Sequence, residues 1–203
     1  KDTCTTYKVL ALDCEMCRTA NGLELTRLSV VTAEGEVILD TLVLPIGGVA
    51  SITDYHTAVS GISAATLERV NITFAQAQLA FLLLCDTDTV LIGHSLENDL
   101  KCLRLLHYRC LDTAYSYPHW RGIPWRRKLR ELAKEYLQEE IQIHDATNPV
   151  QGHDSVEDAQ AALKLARKKV IKGMAYGVPS STFNGRPREH FEYYIKRKAE
   201  EKN

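Results

Sequence analysis

The sequence YKVLALDCE at residues 7–15 decides the architecture that the rest of the chain must fit. Residues 7–14 form a short, almost continuously apolar run, which predicts a strand buried on both faces of a sheet. Asp13 and Glu15 stand two positions apart at the end of this run, so a strand would project both carboxylates from the same face. This stretch therefore predicts a central strand that carries a candidate site.

The segments that follow predict a mixed sheet with helices packed on it. Residues 26–33 and 36–44 are rich in Val, Ile, Leu and Thr and flank the turn signal Glu34-Gly35, which predicts a three-stranded antiparallel meander. Beyond the meander, strands at 89–93 and 110–113 alternate with helices at 74–85, from Ser95 onward, at 128–139 and at 155–172. The predicted class is α/β, with a five-stranded sheet that joins the meander to parallel strands.

Composition limits the class of protein. The chain has 203 residues, of which 45% are hydrophobic and 25% charged, so it can bury a core and does not resemble a disordered protein. No apolar run approaches the roughly 18 residues of a membrane span, which predicts a soluble protein without a membrane partner. Six irregularly spaced cysteines do not suggest a disulfide framework. We expect a body at 1–173 and a basic, partly helical tail at 174–203.

Charge is distributed unevenly. The formal net charge is −1, but residues from 163 onward carry a net +7 and the preceding residues a net −8. This asymmetry suggests an acidic catalytic or metal-binding body with a basic end that could touch polyphosphate. A solvated charged helix and tail would account for the same pattern.

The paired acids of the first strand are hard to explain by structure alone. Two carboxylates ~4 Å apart repel each other by about 4 kcal/mol at an effective dielectric constant of 20, before any cost of desolvation. A divalent cation would relieve this repulsion. The alternative is that the strand ends there and that Asp13 and Glu15 both reach solvent.

Periodicity selects a third acid, Asp99. The helix that begins at Ser95 has an apolar stripe, and Asp99 borders it while Glu97 faces water; the stripe comprises Leu96, Leu100, Leu103 and Leu106. Ser95 is the predicted N-cap, which places Asp99 just past the end of a strand, where α/β sheets collect ligands. Favourable interaction with the helix dipole is the alternative reason for an acid there.

A fourth acid, Asp158, comes from the last helix. Its predicted buried stripe comprises Val156, Ala159, Leu163, Ala166 and Val170. Asp158 lies about a quarter turn from that stripe and can look along the sheet, whereas Glu157 lies opposite and caps the helix or is solvated. His153 precedes the helix and can reach whatever Asp158 binds; the alternative is an ordinary loop histidine.

Together the four acids predict a metal site for phosphodiester hydrolysis. Asp13, Glu15, Asp99 and Asp158 supply hard oxygen ligands, the environment that Mg²⁺ or Mn²⁺ prefers, and could neutralise two ions. Two such ions can generate the attacking hydroxide and stabilise the leaving oxygen. His153 would be the general base for the attacking water.

Three stretches of the sequence resemble the motifs of a known family. They are ALDCEMC at 11–17, GHSLENDL at 93–100 and GHDSVEDA at 152–159. They are similar to the three motifs of the DEDDh-type 3′-to-5′ exonucleases of the DnaQ/ribonuclease H-like superfamily. The stretches GLELTR at 22–27 and VSGI at 59–62 are most similar to the eukaryotic Rex-type RNA exonucleases. The resemblance covers residues 7–172.

The resemblance implies an activity and a set of residues. Asp13, Glu15, Asp99 and Asp158 would hold two Mg²⁺ or Mn²⁺ ions, and His153 would be the base in the stepwise release of nucleoside 5′-monophosphates. Met16 and Leu25 would cradle the terminal nucleotide, and His94 and Asn98 would contact substrate or organise the site. The implied partner is RNA with a free 3′ end, trimmed in ribosomal or transfer RNA precursors. The implied location is the nucleus or nucleolus, with the cytoplasm as an alternative.

Several alternatives stay open at this stage. The substrate could be DNA, because the RNA preference needs 2′-hydroxyl contacts that the sequence does not locate, or the chain could be an inactive RNA-binding module. Trp120 and Trp125 bracket Arg121 and could stack on single-stranded RNA or belong to the core. The pair Cys14 and Cys17 has zinc-knuckle spacing but lacks a second pair, so zinc is disfavoured. Tail residues Arg186, Arg188, Lys196, Arg197 and Lys198 could bind phosphates or signal nuclear import.

Overall fold

A single mixed sheet organises the computed structural model, which describes residues 6–143 and 152–179. Its strands are β1 (Val9–Thr19), β2 (Gly22–Thr32), β3 (Val37–Leu42), β4 (Ile52–Asp54), β5 (Val90–Gly93) and β6 (Cys110–Asp112). The strand order is β3-β2-β1-β5-β6, and β4 pairs with β1 off this path. Strands β1 to β4 pair antiparallel, while β5 is parallel to both β1 and β6. The predicted sheet of a meander and parallel strands is confirmed, and β4 adds a short sixth strand.

Helices cover both faces of this sheet. They are α1 (Thr57–Ser60), α2 (Ala64–Leu67), α3 (Phe74–Leu84), α4 (Glu97–Cys102), α5 (Thr113–Ser116), α6 (Leu129–Leu132) and α7 (Ser155–Lys172), with a 3₁₀ turn at Val49–Ser51 and a π turn at Ala133–Leu137. Helix α3 begins where predicted because Thr73 and Gln76 cap it reciprocally, each side chain accepting from the other residue's backbone N–H. Helix α7 has the predicted bounds, and Asp154 caps it.

The first hairpin is longer than the sequence pattern predicts. Strand β1 runs to Thr19, five residues past the expected end, and β2 starts at Gly22 rather than at Thr26. Thr19 pairs with Gly22, so only Ala20 and Asn21 separate the strands, and the pairing continues past the apolar run. Polar residues extend this strand because a hairpin partner satisfies their backbone groups.

Alternation along β1 separates two layers of the core. Leu10 and Leu12 face a cluster that includes Phe81 of α3, whereas Ala11 faces a cluster that includes Ala162 of α7. Asp13 and Glu15 follow Ala11 with the same period of two, so both carboxylates point to the α7 side of the sheet. The small side chains of α7 allow its backbone to approach the sheet closely; they include Ala159, Ala162 and Ala166.

The buried stripe of α7 is broader than predicted. Val170 was expected in the stripe but is 72% exposed, whereas Lys169 is only 2% exposed. The reason is that α7 packs on a second cluster besides the sheet, in which Ala161 and Leu165 contact Tyr117 and its neighbours. Because α7 contacts both the sheet and this second cluster, more of its circumference is buried than packing on a sheet alone would bury.

Helix α4 departs most from its prediction. Leu96 and Leu103 are buried as expected, but the helix ends at Cys102 and Leu106 is 89% exposed. Ser95 is not the N-cap; it adopts a left-handed conformation with φ of 60°. The cap comes instead from a side chain distant in sequence, which a local pattern cannot reveal.

Some predictions fall on residues outside the description. Most of the tail at 174–203 lies there, including its five basic residues named above, so the division into body and tail stays a prediction. The described cysteines, Cys14, Cys17, Cys85, Cys102 and Cys110, are all free thiols. Within the described ranges, no helix is both long and apolar enough to cross a membrane.

Candidate active site

The site begins where β1 extends beyond the end of its parallel neighbour, β5. Strand β5 pairs with β1 only from Val9 to Ala11, and β4 pairs on that side only at Arg18 and Thr19, so the β1 backbone between them has no strand neighbour there. The backbone N–H of Cys14 instead donates to Oδ1 of Asp99 at 3.0 Å. A carboxylate from α4 thus takes the place of a strand carbonyl, and this bond brings Asp99 beside the acids of β1.

Two residues fix α4 in that position. A Cβ on Gly93 would lie 2.7 Å from Leu96 Cδ1 and 3.2 Å from the carbonyl oxygen of Leu12, so only glycine permits this close turn. Asp112, at the end of β6, accepts from the backbone N–H groups of Ser95 and Leu96, both at 2.9 Å. Asp112 also caps α5 by accepting from Ala114 N at 2.8 Å. Sequence analysis missed this capping role because it depends on strand pairing.

The histidine loop is held against α1 by backbone contacts. The N–H of His153 donates to the carbonyl oxygen of Val59 at 2.6 Å. A Cβ on Gly152 would lie 1.9 Å from Gly61 N, so the two backbones touch and Gly152 admits no side chain. His153 Nδ1 consequently lies 3.8 Å from Oδ2 of Asp158. The structure therefore brings the predicted base to the predicted α7 acid.

Burial raises the pKa values of all four acids, and the charges of Asp99 and Asp158 act on both acids of β1. Burial raises the pKa of Asp13 well above its usual range, and the charges of Asp99, Asp158 and Glu15 raise it further. Burial and the charge of Asp158 raise the pKa of Glu15 to about 8. Burial also raises the pKa of Asp99 to about 8 and that of Asp158 to about 7. Predicted from three separate motifs, the four side chains share one low-dielectric region.

Arg27 is a site residue that sequence analysis missed. It pairs with Glu15 across the β1–β2 ladder, and its charge lowers the pKa of Glu15 against the effect of burial. Its guanidinium also contacts Asp40 at 2.8 Å and Asp154 at 3.2 Å. Arg27 therefore joins strands β2 and β3 to the start of α7. Counting the register back from the turn at Ala20 and Asn21 would have placed Thr26 opposite Glu15, because a β-bulge between Glu15 and Met16 shifts the pairing by one residue.

Asp158 leaves one oxygen unsatisfied. Its Oδ2 accepts from Gln142 Nε2 at 2.8 Å, but its Oδ1 is buried and has no hydrogen-bond partner within the described residues. A buried carboxylate oxygen without a partner is costly, and oxygen-rich sites of this kind suit Mg²⁺ or Mn²⁺. The donor set thus fits a hard divalent ion.

The acid side chains are not arranged as a closed chelate. In the part of the chain that the structure describes, no three His, Cys, Asp or Glu side chains are close enough to bind one ion together. Asp99 is engaged by Cys14, and Asp158 by Gln142. Binding of a shared ion would therefore require carboxylates to turn from these hydrogen bonds toward one another.

The predicted substrate contacts differ in their exposure. Met16 is half-buried, and Asn98, in the first turn of α4, is exposed. Leu25 is 1% exposed and packs in the core, so contact with a nucleotide would require its neighbours to move. His94 Nδ1 lies 2.9 Å from the hydroxyl of Thr113, and burial lowers the pKa of His94 to about 4. His94 is therefore uncharged near neutral pH.

A groove opens beside His153. It has a volume of about 740 Å³, within the range of small-molecule pockets, and runs between the edge of the meander and the α1–α2 region. Arg27, Ile62, Gly152 and His153 are among the residues that line it. This groove gives the histidine side of the site access to solvent.

One expectation near the site was wrong, and one open alternative is excluded. Trp120 and Trp125 are 57% and 55% exposed, so the alternative that they belong to the core is excluded. Glu97 does not simply face water; it forms an ion pair with Arg126, and its Oε2 is buried without a hydrogen-bond partner among the described residues. Cys14 and Cys17 are buried thiols, and burial raises the pKa of each.

Comparison with known proteins identifies relatives of this sequence. A family model described as Exonuclease (RNase_T) matches residues 10–166. "Exonuclease GOR" of Pan troglodytes is 46% identical over 162 residues, which cover 80% of this chain and 22% of the relative. "RNA exonuclease 1" of Saccharomyces cerevisiae is 40% identical over 180 residues, covering 87% of this chain and 30% of the relative. The chain thus spans less than a third of the length of these relatives.

Solved structures with the same fold come from Pan2 proteins. The catalytic unit of Neurospora crassa Pan2, described as a protease and nuclease domain, is 26% identical with a TM-score of 0.69, and the match covers 97% of this chain and 30% of that one. The Saccharomyces cerevisiae Pan2 module in complex with AAGGA RNA has the same TM-score of 0.69 at 22% identity, covering 98% and 34%. The second likeness shows the fold alone.

Proposed function

Because this chain belongs to the exonuclease family whose model matches residues 10–166, we propose that it is a divalent-metal-dependent 3′-to-5′ exoribonuclease. It removes nucleotides one at a time from the 3′ end of RNA and releases nucleoside 5′-monophosphates. Two Mg²⁺ or Mn²⁺ ions assist the hydrolysis. The natural substrates that we propose are structured RNAs such as ribosomal or transfer RNA precursors, processed in the nucleus or nucleolus.

One observation carries this proposal: burial and neighbouring carboxylates raise the pKa values of four acids from β1, α4 and α7, and one of their oxygens has no partner in the described chain. A fold gains nothing in stability from such an arrangement, because each ionised carboxylate is both desolvated and repelled. Divalent ions would remove both costs. Binding of divalent ions would therefore account for the presence of the four acids.

The residues of this chain would divide the work as follows. Asp13, Glu15, Asp99 and Asp158 would hold the two ions, which when bound acidify water and stabilise charge on the leaving oxygen. His153 would accept the proton of the attacking water, and its backbone bond to Val59 holds the ring at the site. Met16, His94 and Asn98 would contact or position the terminal nucleotide, with Leu25 supporting them from the core.

RNA is the proposed substrate because of the relatives. Proteins named RNA exonuclease 1 and RNA exonuclease 3 are 40% and 44% identical to this chain over their matching parts. The exposed Asn98 and the solvent-open groove beside His153 leave room for a strand that enters by its 3′ end.

End-labelled RNA tests the activity. Single-stranded RNA with a 5′ label is incubated with the protein and Mn²⁺ or Mg²⁺, and a ladder that shortens one nucleotide at a time is expected. Asp13→Asn should abolish the ladder. Asp88→Asn is the matched control. Asp88 is exposed, pairs with Arg109 at 2.9 Å and precedes the N-terminal end of β5, whereas the acids lie beyond its C-terminal end. Internal fragments, or full activity in Asp13→Asn, would overturn the proposal.

A second variant tests the base. His153→Ala should lose about 10²- to 10⁴-fold in rate, the usual contribution of general base catalysis, while Mn²⁺ affinity measured by calorimetry stays within a small factor of wild type. An unchanged rate would remove His153 from the mechanism. Parallel reactions on RNA and DNA strands of the same sequence decide the substrate, and equal rates would assign the enzyme to both.

A further inference from the structure

We propose that an exposed surface formed by His119, Trp120, Arg121 and Trp125, here called the aromatic platform, binds unpaired RNA bases upstream of the 3′ end. The platform lies outside the four-acid cluster. The identity of the ligand rests on the proposed function, which makes single-stranded RNA the molecule that passes this edge of the sheet.

The aromatic platform exposes large rings in a stacked arrangement. Trp120 and Trp125 are both more than half exposed. The guanidinium of Arg121 lies over both indoles, 4.6 Å from the centroid of Trp120 and 5.2 Å from that of Trp125. The ring of His119 stacks on Trp120 at 5.5 Å. Exposed aromatic clusters are uncommon on monomer surfaces without a binding role, since burying them would be favourable.

The loop that carries the platform is anchored, so its rings are held in place before any ligand arrives. Gly122 N donates to His119 O at 2.8 Å, and Trp125 N donates to Gly122 O at 3.0 Å. The next residue, Arg126, pairs with Glu97 of α4 and lies over the ring of Tyr115. A preorganised surface loses little conformational entropy on binding.

Charge favours a nucleic acid as the occupant. Residues 113–130 contain no Asp or Glu and five basic residues: Arg121, Arg126, Arg127, Lys128 and Arg130. Arg126 and Arg127 are neutralised by Glu97 and Glu135, but Arg121 has no carboxylate partner in the described ranges. Stacked aromatic rings beside an uncompensated guanidinium match the alternating bases and phosphates of a single strand.

The platform and the acids both lie at the C-terminal ends of the parallel strands. The parallel strands β5 and β6 end at Gly93 and Asp112, and the loop docks on the segments that follow them. Its anchor Glu97 lies two residues before Asp99 in α4. A strand with its 3′ end at the acids can therefore cross the platform with nucleotides further upstream.

Intrinsic fluorescence offers a direct test. Trp120 and Trp125 are the only two tryptophans of the 203-residue chain, so tryptophan emission reports on this surface without a label. An oligoadenylate of about ten nucleotides, titrated in chelator to prevent cleavage, should quench the emission as its bases stack. An abasic strand of the same length should bind more weakly and leave the emission nearly unchanged. No quenching by the oligoadenylate would overturn the proposal.

Variants separate the platform from the catalytic site. Trp120→Ala/Trp125→Ala should raise the dissociation constant of a fluorescently labelled oligoadenylate at least about tenfold, as expected from the loss of base stacking. Tyr108→Ala is the control, because Tyr108 is 86% exposed and precedes the N-terminal end of β6, whereas the platform follows its C-terminal end. Unchanged melting temperatures would show that both variants fold. Equal affinities of wild type and the double variant would refute the platform.

Substrate length distinguishes this inference from the proposed function. Cleavage of a dinucleotide, the shortest RNA with a phosphodiester bond, should proceed equally in wild type and the double variant if the platform binds only upstream bases, whereas KM for the oligoadenylate should rise about tenfold with little change in kcat. A wild-type protein that cleaves neither RNA refutes the exoribonuclease, while the fluorescence titration still decides whether bases bind. An equal loss on both lengths would refute the platform instead.

Discussion

The two ends of helix α7 bury opposite charges, and only one of them is satisfied by the chain itself. At its start, Asp158 has an oxygen without a hydrogen-bond partner in the described residues, and its charge raises the pKa values of Asp13 and Glu15. Near its end, Lys169 is 2% exposed, donates to the carbonyl oxygen of Tyr176 at 2.5 Å and lies 4.9 Å from the ring centroid of Tyr117. Burial shifts the pKa of both toward neutrality, to about 7 for Asp158 and about 8 for Lys169.

The difference distinguishes a structural buried charge from a functional one. Around Lys169 the chain supplies the carbonyl of Tyr176 and the ring of Tyr117, which belongs to a tyrosine cage with Tyr136 and Tyr176, so this end is complete without a ligand. Around Asp158 the chain adds further carboxylates, which make the charged state less favourable. A buried charge that has its partners within the chain needs no ligand, whereas one that is surrounded by like charges indicates a site for cations.

The largest expected effect comes from removing the charge at the acid end. Asp158→Asn keeps the size of the side chain but removes a proposed metal ligand, so the exonuclease rate should fall by at least about 10³-fold. Without divalent ions the variant should melt at a higher temperature than wild type near pH 8, because a buried charge is gone. Rates on end-labelled RNA and calorimetric melting provide both measurements. A variant that loses activity and also stability in chelator would contradict the comparison.

The next effect tests the placement of the base beside Asp158. Gly152→Ala puts a Cβ 1.9 Å from Gly61 N, so the His153 loop must move, and a shift of about 1 Å can cost about 10²-fold in rate. Gly35→Ala is the control, because its φ of +89° makes alanine strained but nothing lies within 4 Å of the new Cβ. The control should lose stability and keep its activity. Comparable rates for both variants would show that the loop contact does not position His153.

A smaller effect is the pH dependence of stability without metal. The folded protein holds protons on Glu15, Asp99 and Asp158 up to about pH 7 to 8, whereas the unfolded chain releases them near pH 4. The folded state therefore binds more protons, and stability should fall as pH rises through this window. Melting in chelator from about pH 5 to 8 should show the decrease, and Mg²⁺ or Mn²⁺ should raise the melting temperature most at the upper end. A melting temperature that rises across this range would contradict the shifts.

The sequence predicted the acid end better than the lysine end, and the reason is physical. Strand period and helix period placed Asp13, Glu15, Asp99 and Asp158 from local spacing alone, and the pKa shifts agree that they share one region. Their roles as ligands stay predictions. Lys169 was invisible, because the cage around it comes from three segments that only the fold assembles.

Other features escaped the sequence for the same reason. Asp112 caps α4 across the sheet, and Arg27 reaches Glu15 through strand register, so both depend on pairing rather than on neighbours in the chain. The predicted N-cap at Ser95 was wrong because the side chain of Asp112, in β6, accepts from the backbone N–H groups of Ser95 and Leu96 instead. Exposure of Trp120 could not be read from composition, since aromatic residues beside basic ones occur both in cores and on surfaces.

The smallest expected effect tests whether the lysine end is purely structural. Between about pH 8 and pH 10.5 the unfolded chain keeps a proton on Lys169 that the folded protein has released, so wild-type stability gains from this group as pH rises. Lys169→Met retains the apolar stem and removes the charge, so it should abolish that gain and raise the melting temperature near pH 7 by about 2–4 °C. RNA cleavage should stay within about twofold of wild type, because Lys169 is buried and lies eleven residues along α7 from Asp158. A large loss of cleavage with an unchanged melting temperature would show that Lys169 has a functional role, as Asp158 does, and would contradict the distinction drawn between them.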